Sequence, residues 1–145
     1  MFIGAYRHTL DEKNRIIVPS RFRSILQGRF IATRGLDGCL ACYPTEEFQK
    51  YMDGLAAMPI EHKEARKYIR IISSNAVECE IDKQGRVVLP QSLRDAARID
   101  KEIVVVGANN RFEIWSASEF DRYEEETLPQ YEQLAEGLAG MGSQR

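Results

Sequence analysis

Two short apolar runs, Ile16-Ile17-Val18 and Val87-Val88-Leu89, sit in matching surroundings. Each follows a polar segment, Asp11 to Asn14 or Asp82 to Gly85, and each is closed by a proline, Pro19 or Pro90. Asn and Gly tolerate the left-handed backbone of tight turns, so the pattern predicts a turn leading into a short buried strand. Proline ends the strand because it lacks an N–H. Its fixed φ suits the first position of a helix, which predicts short helices directly after it, the first near residues 20 to 27.

The resemblance between the runs extends to a thirteen-residue phrase, DEKNRIIVPSRFR from Asp11 and DKQGRVVLPQSLR from Asp82, 71 positions apart. Arg15 matches Arg86 and Arg23 matches Arg94. The match begins earlier still, with Ala5 against Ala76 and Leu10 against Ile81. The chain is therefore built from two copies of one unit. Each lead-in, residues 2–10 or 73–81, reads as a strand paired with the strand after the turn, a hairpin tipped by Asp11 to Asn14 or Asp82 to Gly85.

Downstream, Arg29 to Thr33 and Cys39 to Tyr43 read as strands around a Gly35 to Gly38 turn, and Glu102 to Val106 with Arg111 to Trp115 repeat them with one extra residue. A helix follows in each copy. Phe48 and Tyr51, like Phe120 and Tyr123, share one helical face that reads as core packing. Between the copies, residues 59–72 predict an amphipathic helix opened by Pro59, with Ala65, Tyr68, Ile69 and Ile72 on one side and Lys63, Arg66, Lys67 and Arg70 on the other. It reads as a solvated connector, or as a helix that contacts phosphates or another subunit. The expected organisation is a first unit over residues 1–58, this connector over 59–72, a second unit over 73–126, and an acidic, helical, frayed tail over 127–145.

Charge refines this outline. The net charge is −2, yet residues 1–72 hold 12 Lys and Arg against 8 Asp and Glu, while residues 73–145 hold 8 against 14. A local basic patch in the first half is compatible with nucleic acid, and two solvated faces of opposite sign explain the same numbers. No run approaches the ~20 apolar residues of a membrane helix. The N-terminus MFIGAYRHTL lacks a signal-peptide pattern, so a cytoplasmic protein without membrane partners is expected. Three cysteines, Cys39, Cys42 and Cys79, argue against a disulfide framework. Cys39 and Cys42 have CxxC spacing, but within a strand these positions face opposite ways, so small buried hydrophobes are expected in preference to a metal or redox site. No pattern suggests a cofactor.

The doubled Asp-x-x-x-Arg phrase, the opening MFIGAYRHTLDEKNRIIVPSRFR, and the segments GLDGCLACYPTEEF and GANNRFEIWSASEF together resemble the bacterial MraZ family of transcriptional regulators, over nearly all of residues 1–125. The resemblance implies an α+β, mainly β fold, in which two tandem AbrB-like swapped-hairpin units form one pseudo-twofold β-barrel with flanking helices. It also implies ring-shaped homo-oligomers that bind direct repeats in the double-stranded DNA upstream of the division and cell wall gene cluster, hence association with the nucleoid. Nothing is carried over beyond Glu126.

An arginine beside a sharp turn can reach a phosphate or a guanine edge, and repetition around a ring would multiply a weak contact. The candidate DNA contacts are Arg15 and Arg86, then Arg7, Lys13 and Lys83, with Asp11 and Asp82 orienting the arginines. Arg23 and Arg94 read as structural or inter-subunit residues. A homo-oligomeric scaffold without DNA readout is the alternative. Catalysis is not expected, because each Asp has an arginine four residues on that holds it ionised, and His8 and His62 have no nucleophile partner in the pattern.

Overall fold

The computed structural model describes residues 1–142. In the first copy, β1 (Ala5–Thr9), β2 (Arg15–Ile17), α1 (Ser20–Leu26), β3 (Arg29–Arg34), β4 (Leu40–Tyr43) and α2 (Thr45–Ala56) follow in order. A connecting helix α3 (Lys63–Asn75) leads to the second copy: β5 (Val77–Glu80), β6 (Arg86–Val88), α4 (Gln91–Ala96), β7 (Glu102–Gly107), β8 (Phe112–Ser116) and α5 (Ala117–Thr127). A single 3₁₀ turn, Leu128–Gln130, then joins α5 to α6 (Tyr131–Gly142). The tail expected to fray is helical as far as Gly142, and residues 143–145 lie outside the described residues.

β3 pairs with β4 and β7 with β8 inside each copy, but the lead-in and ribbon strands pair between copies, which corrects the expected hairpins. β2 pairs antiparallel with β6, β1 with β7, and β5 with β3. The six-stranded sheet has the order β1-β7-β8-β4-β3-β5, a pattern that is unchanged when the two copies are exchanged. Asp11 to Arg15 and Asp82 to Arg86 do turn sharply, but each turn hands its strand to the other copy. The expected closed barrel is corrected too. β1 and β5 are the edges of an open sheet, and β2 and β6 form a separate two-stranded ribbon. Each ribbon strand has three residues and runs into Pro19 or Pro90, so it has neither the length nor the N–H groups to stitch the ribbon to the sheet edges.

The core lies between the inner face of the sheet and the ribbon with α1 and α4. Ile16, Val18, Val87 and Leu89 point inward from the ribbon, and Phe22 and Leu93 from the short helices, onto Phe30, Leu40, Ile103 and Ile114 of the sheet. Phe112 is its hub, with ring centroids 5.5, 5.4 and 5.1 Å from those of Phe2, Phe22 and Phe30. Edge-on and tilted aromatic packing adds to the gain from burying these rings. The outer face of the sheet carries α2, α3 and α5. There Tyr51 stacks on Tyr43 at 5.8 Å, and Trp115 meets Phe120 and Tyr123 at 5.5 and 4.9 Å. The aromatic stripes of α2 and α5 thus pack, half-exposed, on the back of the sheet, outside the cluster centred on Phe112.

The connector begins later than Pro59 suggested. His62 caps α3, its Nδ1 accepting the Ala65 N–H at 3.1 Å, and Pro59 supplies the carbonyl of the preceding turn. Ala65 and Ile72 are buried, and Thr33 of β3 donates its buried hydroxyl to the Ile72 carbonyl at 2.8 Å. Among the described residues, no helix is long and apolar enough to cross a membrane.

Candidate nucleic-acid interface

The two turns have the same construction. Asp11 Oδ1 accepts the backbone N–H groups of Lys13 and Arg15, both at 2.9 Å, and Asp11 Oδ2 accepts Arg15 Nε at 2.6 Å. In the second copy, Asp82 Oδ1 accepts Gln84 N–H at 2.9 Å and Arg86 N–H at 2.8 Å, while Oδ2 accepts Arg86 Nε at 2.9 Å. An aspartate that caps its own turn in this way needs the next residues to curl back, which Asn14 and Gly85 allow with φ of 58° and 81°. The backbone N–H of Arg15 or Arg86, with its guanidinium, holds each carboxyl below the usual carboxylate range. Both carboxylates are ionised at neutral pH, and each fixes its arginine through Nε alone. Among the described residues, no hydrogen bond engages Nη1 or Nη2 of either arginine.

The ribbon register brings the arginines together. Arg15 lies opposite Val88 and Ile17 opposite Arg86. Residues directly across an antiparallel pair share a face, as do residues two apart on one strand. Arg15, Ile17, Arg86 and Val88 therefore occupy one face, with Ile16, Val18, Val87 and Leu89 on the other, inside the core. The arginines are diagonal neighbours, about 7–8 Å apart at the backbone. Their side chains are 23% and 31% exposed, held against the turns with an open side toward solvent. The two runs expected to be buried throughout are buried only on alternate residues: Ile17 and Val88 are 46% and 56% exposed. Period-two alternation within three residues was the available signal.

Lys13 and Lys83 are exposed on the turns at opposite ends of the ribbon. Arg7 is elsewhere. It pairs with Val104, whose side lies toward the helices, and its Nη2 bonds Asp121 of α5 at 2.5 Å. Arg23 and Arg94 hold the ribbon ends internally, Arg23 Nη1 donating to the Val18 carbonyl at 2.9 Å and Arg94 Nε to the Leu89 carbonyl at 3.0 Å. The ribbon thus presents two anchored guanidinium groups between two free-ended lysines, a donor-rich strip that suits polyanions.

The sequence also matches, over residues 1–71 and again over 72–139, the family model described as "MraZ protein, putative antitoxin-like". The chain belongs to the MraZ family. It is 48% identical to the transcriptional regulator MraZ of Desulforamulus reducens over 141 residues, covering 97% of this chain and 99% of that one. The transcriptional regulator MraZ of Moorella thermoacetica is likewise 48% identical, over 95% of this chain and 96% of its own. That of Lactiplantibacillus plantarum is 44% identical, with coverage of 95% and 98%. These MraZ proteins are named as regulators of transcription, not as enzymes.

Among the described residues, no group of three or more His, Cys, Asp and Glu is placed to hold a metal ion. Cys39, Cys42 and Cys79 are all buried. Burial pushes the Cys39 thiol up to about 12 and that of Cys79 to about 11, and lifts Cys42 well above the ordinary value, so all three stay protonated and unreactive at neutral pH.

Proposed function

We propose that this MraZ-family chain is a sequence-specific DNA-binding regulator of transcription whose β2–β6 ribbon meets the duplex. The observation that carries the reading is the common face of Arg15 and Arg86. One arginine comes from each copy, each is held at Nε by its own aspartate, and neither has a hydrogen bond at its Nη groups among the described residues. A two-stranded ribbon fits the ~12 Å major groove of B-DNA, where a guanidinium can grip the O6 and N7 of guanine with two bonds. Asp11 and Asp82 orient the arginines and do not touch DNA. Lys13 and Lys83 reach phosphates on either side. Arg7 is left out of this surface because it lies on the helix side of the sheet, neutralised by Asp121.

One ribbon offers few contacts and binds weakly by itself. We infer that copies assemble into a closed ring and engage direct repeats upstream of the division and cell wall gene cluster, so that linkage supplies the affinity. Such a regulator works in the cytoplasm on the nucleoid. The test is binding to DNA carrying one, two or three copies of the repeat, over a range of salt. Affinity should rise steeply with copy number and fall steeply with salt. A flat response to both favours a homo-oligomeric scaffold. That second reading draws on the exposed Leu128, Tyr131, Leu134, Leu138 and Met141, which leave the tail helix with an uncovered apolar side.

A further inference from the structure

We propose that Ile17 and Val88 determine sequence specificity by recognising thymine methyl groups in the major groove, a reading that rests on DNA binding by the ribbon. Each is the middle residue of its apolar run. A polar side chain at either place would leave the core intact, since Ile16, Val18, Val87 and Leu89 fill the inner face. Instead the outer face carries two β-branched hydrocarbons, 46% and 56% exposed, and each stands directly across from an arginine: Ile17 from Arg86 and Val88 from Arg15.

The arrangement matches a chemical feature of one base. Among groups on the major-groove edges, the thymine C5-methyl is the apolar one; the others are hydrogen-bond donors and acceptors. An exposed aliphatic side chain next to a guanidinium is therefore suited to a thymine next to a guanine. Directly opposed residues lie about 4.5–5.5 Å apart, and successive bases rise about 3.4 Å along each strand, so one arginine–aliphatic pair spans one or two base steps. Exchange of the two copies turns the Arg15–Val88 pair into the Arg86–Ile17 pair. The ribbon accordingly carries two equivalent readers pointing in opposite directions, each able to read a guanine and a nearby thymine.

The experiment compares the full-length protein on two DNAs from upstream of its own division and cell wall gene cluster. One is natural, and in the other every thymine is replaced by deoxyuridine, which pairs identically but lacks the methyl. Fluorescence anisotropy should show weaker binding of the uridine DNA, by about fourfold for each methyl contacted. Ile17→Ala and Val88→Ala should weaken binding to thymine DNA and shrink the difference between the two DNAs, with the mass by light scattering unchanged. Equal and tight binding of both DNAs by the unaltered protein overturns the proposal while leaving DNA binding by the ribbon in place. So does full discrimination by the Ala variants, or a fall in their mass, which would assign these side chains to contacts between copies. Failure to bind either DNA overturns the parent reading as well. The comparison on the unaltered protein decides the matter even if a variant does not fold.

Discussion

Arg23, from the first copy, packs its guanidinium against Gly85, in the turn of the second. Gly85 has φ of 81°, and a Cβ there would stand 2.0 Å from Arg23 Nη1. The same Nη1 holds the Val18 carbonyl, and the Val18 N–H donates to the Gly85 carbonyl at 2.8 Å, so one small knot ties together both copies, the ribbon and α1. Gly85→Ala should lower stability by about 1–3 kcal/mol, from backbone strain and from displacing Arg23. In an Arg23→Ala background the same change should cost less, because only the strain remains. Urea unfolding of the four proteins measures this coupling; equal costs in both backgrounds would show that the knot is not shared.

Acid should loosen the turns in a defined window. Asp11 and Asp82 have folded-state pKa values below the ordinary carboxylate value, chiefly through the backbone N–H of Arg15 and Arg86 and then through the guanidinium groups. Depressed carboxylates stabilise the fold above their unfolded pKa, about 3.9, and this contribution is lost as pH falls through the folded values. An Asp11→Asn, Asp82→Asn variant keeps one acceptor oxygen for the backbone N–H groups, loses the acceptor for the arginine Nε, and cannot titrate. Between pH 7 and about 4.5, the stability of both proteins should vary in parallel. Below about pH 4 the unaltered protein should lose stability more steeply, and identical acid profiles would count against the turn-capping role.

Phe112 should be the most sensitive core position. It is fully buried and touches three other phenylalanine rings drawn from β3, α1 and the N-terminal segment. Phe112→Ala should cost about 3–5 kcal/mol, the usual toll for deleting a buried ring without collapse of the site. A denaturant series with an unchanged m-value checks it.

These predictions depend on features that differ in how legible they were. The repeat placed the strands, the proline stops and the short helices, because turn residues, β-branched runs and Pro19 or Pro90 act locally. Partner choice was not local. Ile16-Ile17-Val18 and Val87-Val88-Leu89 have the same length and alternation, so pairing within a copy and pairing across copies satisfy the pattern equally, and only the three-dimensional packing selects β2 with β6. The Arg15 and Arg86 turns were readable from Asp-x-x-x-Arg, whereas the capture of Arg7 by Asp121, 114 residues away, left no trace in spacing. The exposure of Ile17 and Val88 was hidden by reading a three-residue apolar run as buried throughout.

Lys13 and Lys83 should act differently from the arginines. On the proposed reading these exposed lysines at the ribbon ends contact phosphates, which carry no base identity. Lys13→Ala with Lys83→Ala should weaken binding to all duplexes alike and reduce the log–log salt slope by about 1–2 for each engaged copy. A change in preference among sequences, with the slope untouched, would move these lysines to the base edges.

The role of the ribbon is tested most directly by the affinity of an Arg15→Ala, Arg86→Ala variant for duplex carrying tandem repeats, measured beside the unaltered protein at one salt concentration. Matched circular dichroism and matched mass should establish that fold and assembly are intact. The account predicts at least a hundredfold loss, about 2.7 kcal/mol or more, together with loss of preference for the repeat over unrelated DNA. Undiminished, repeat-selective binding by that variant would contradict it.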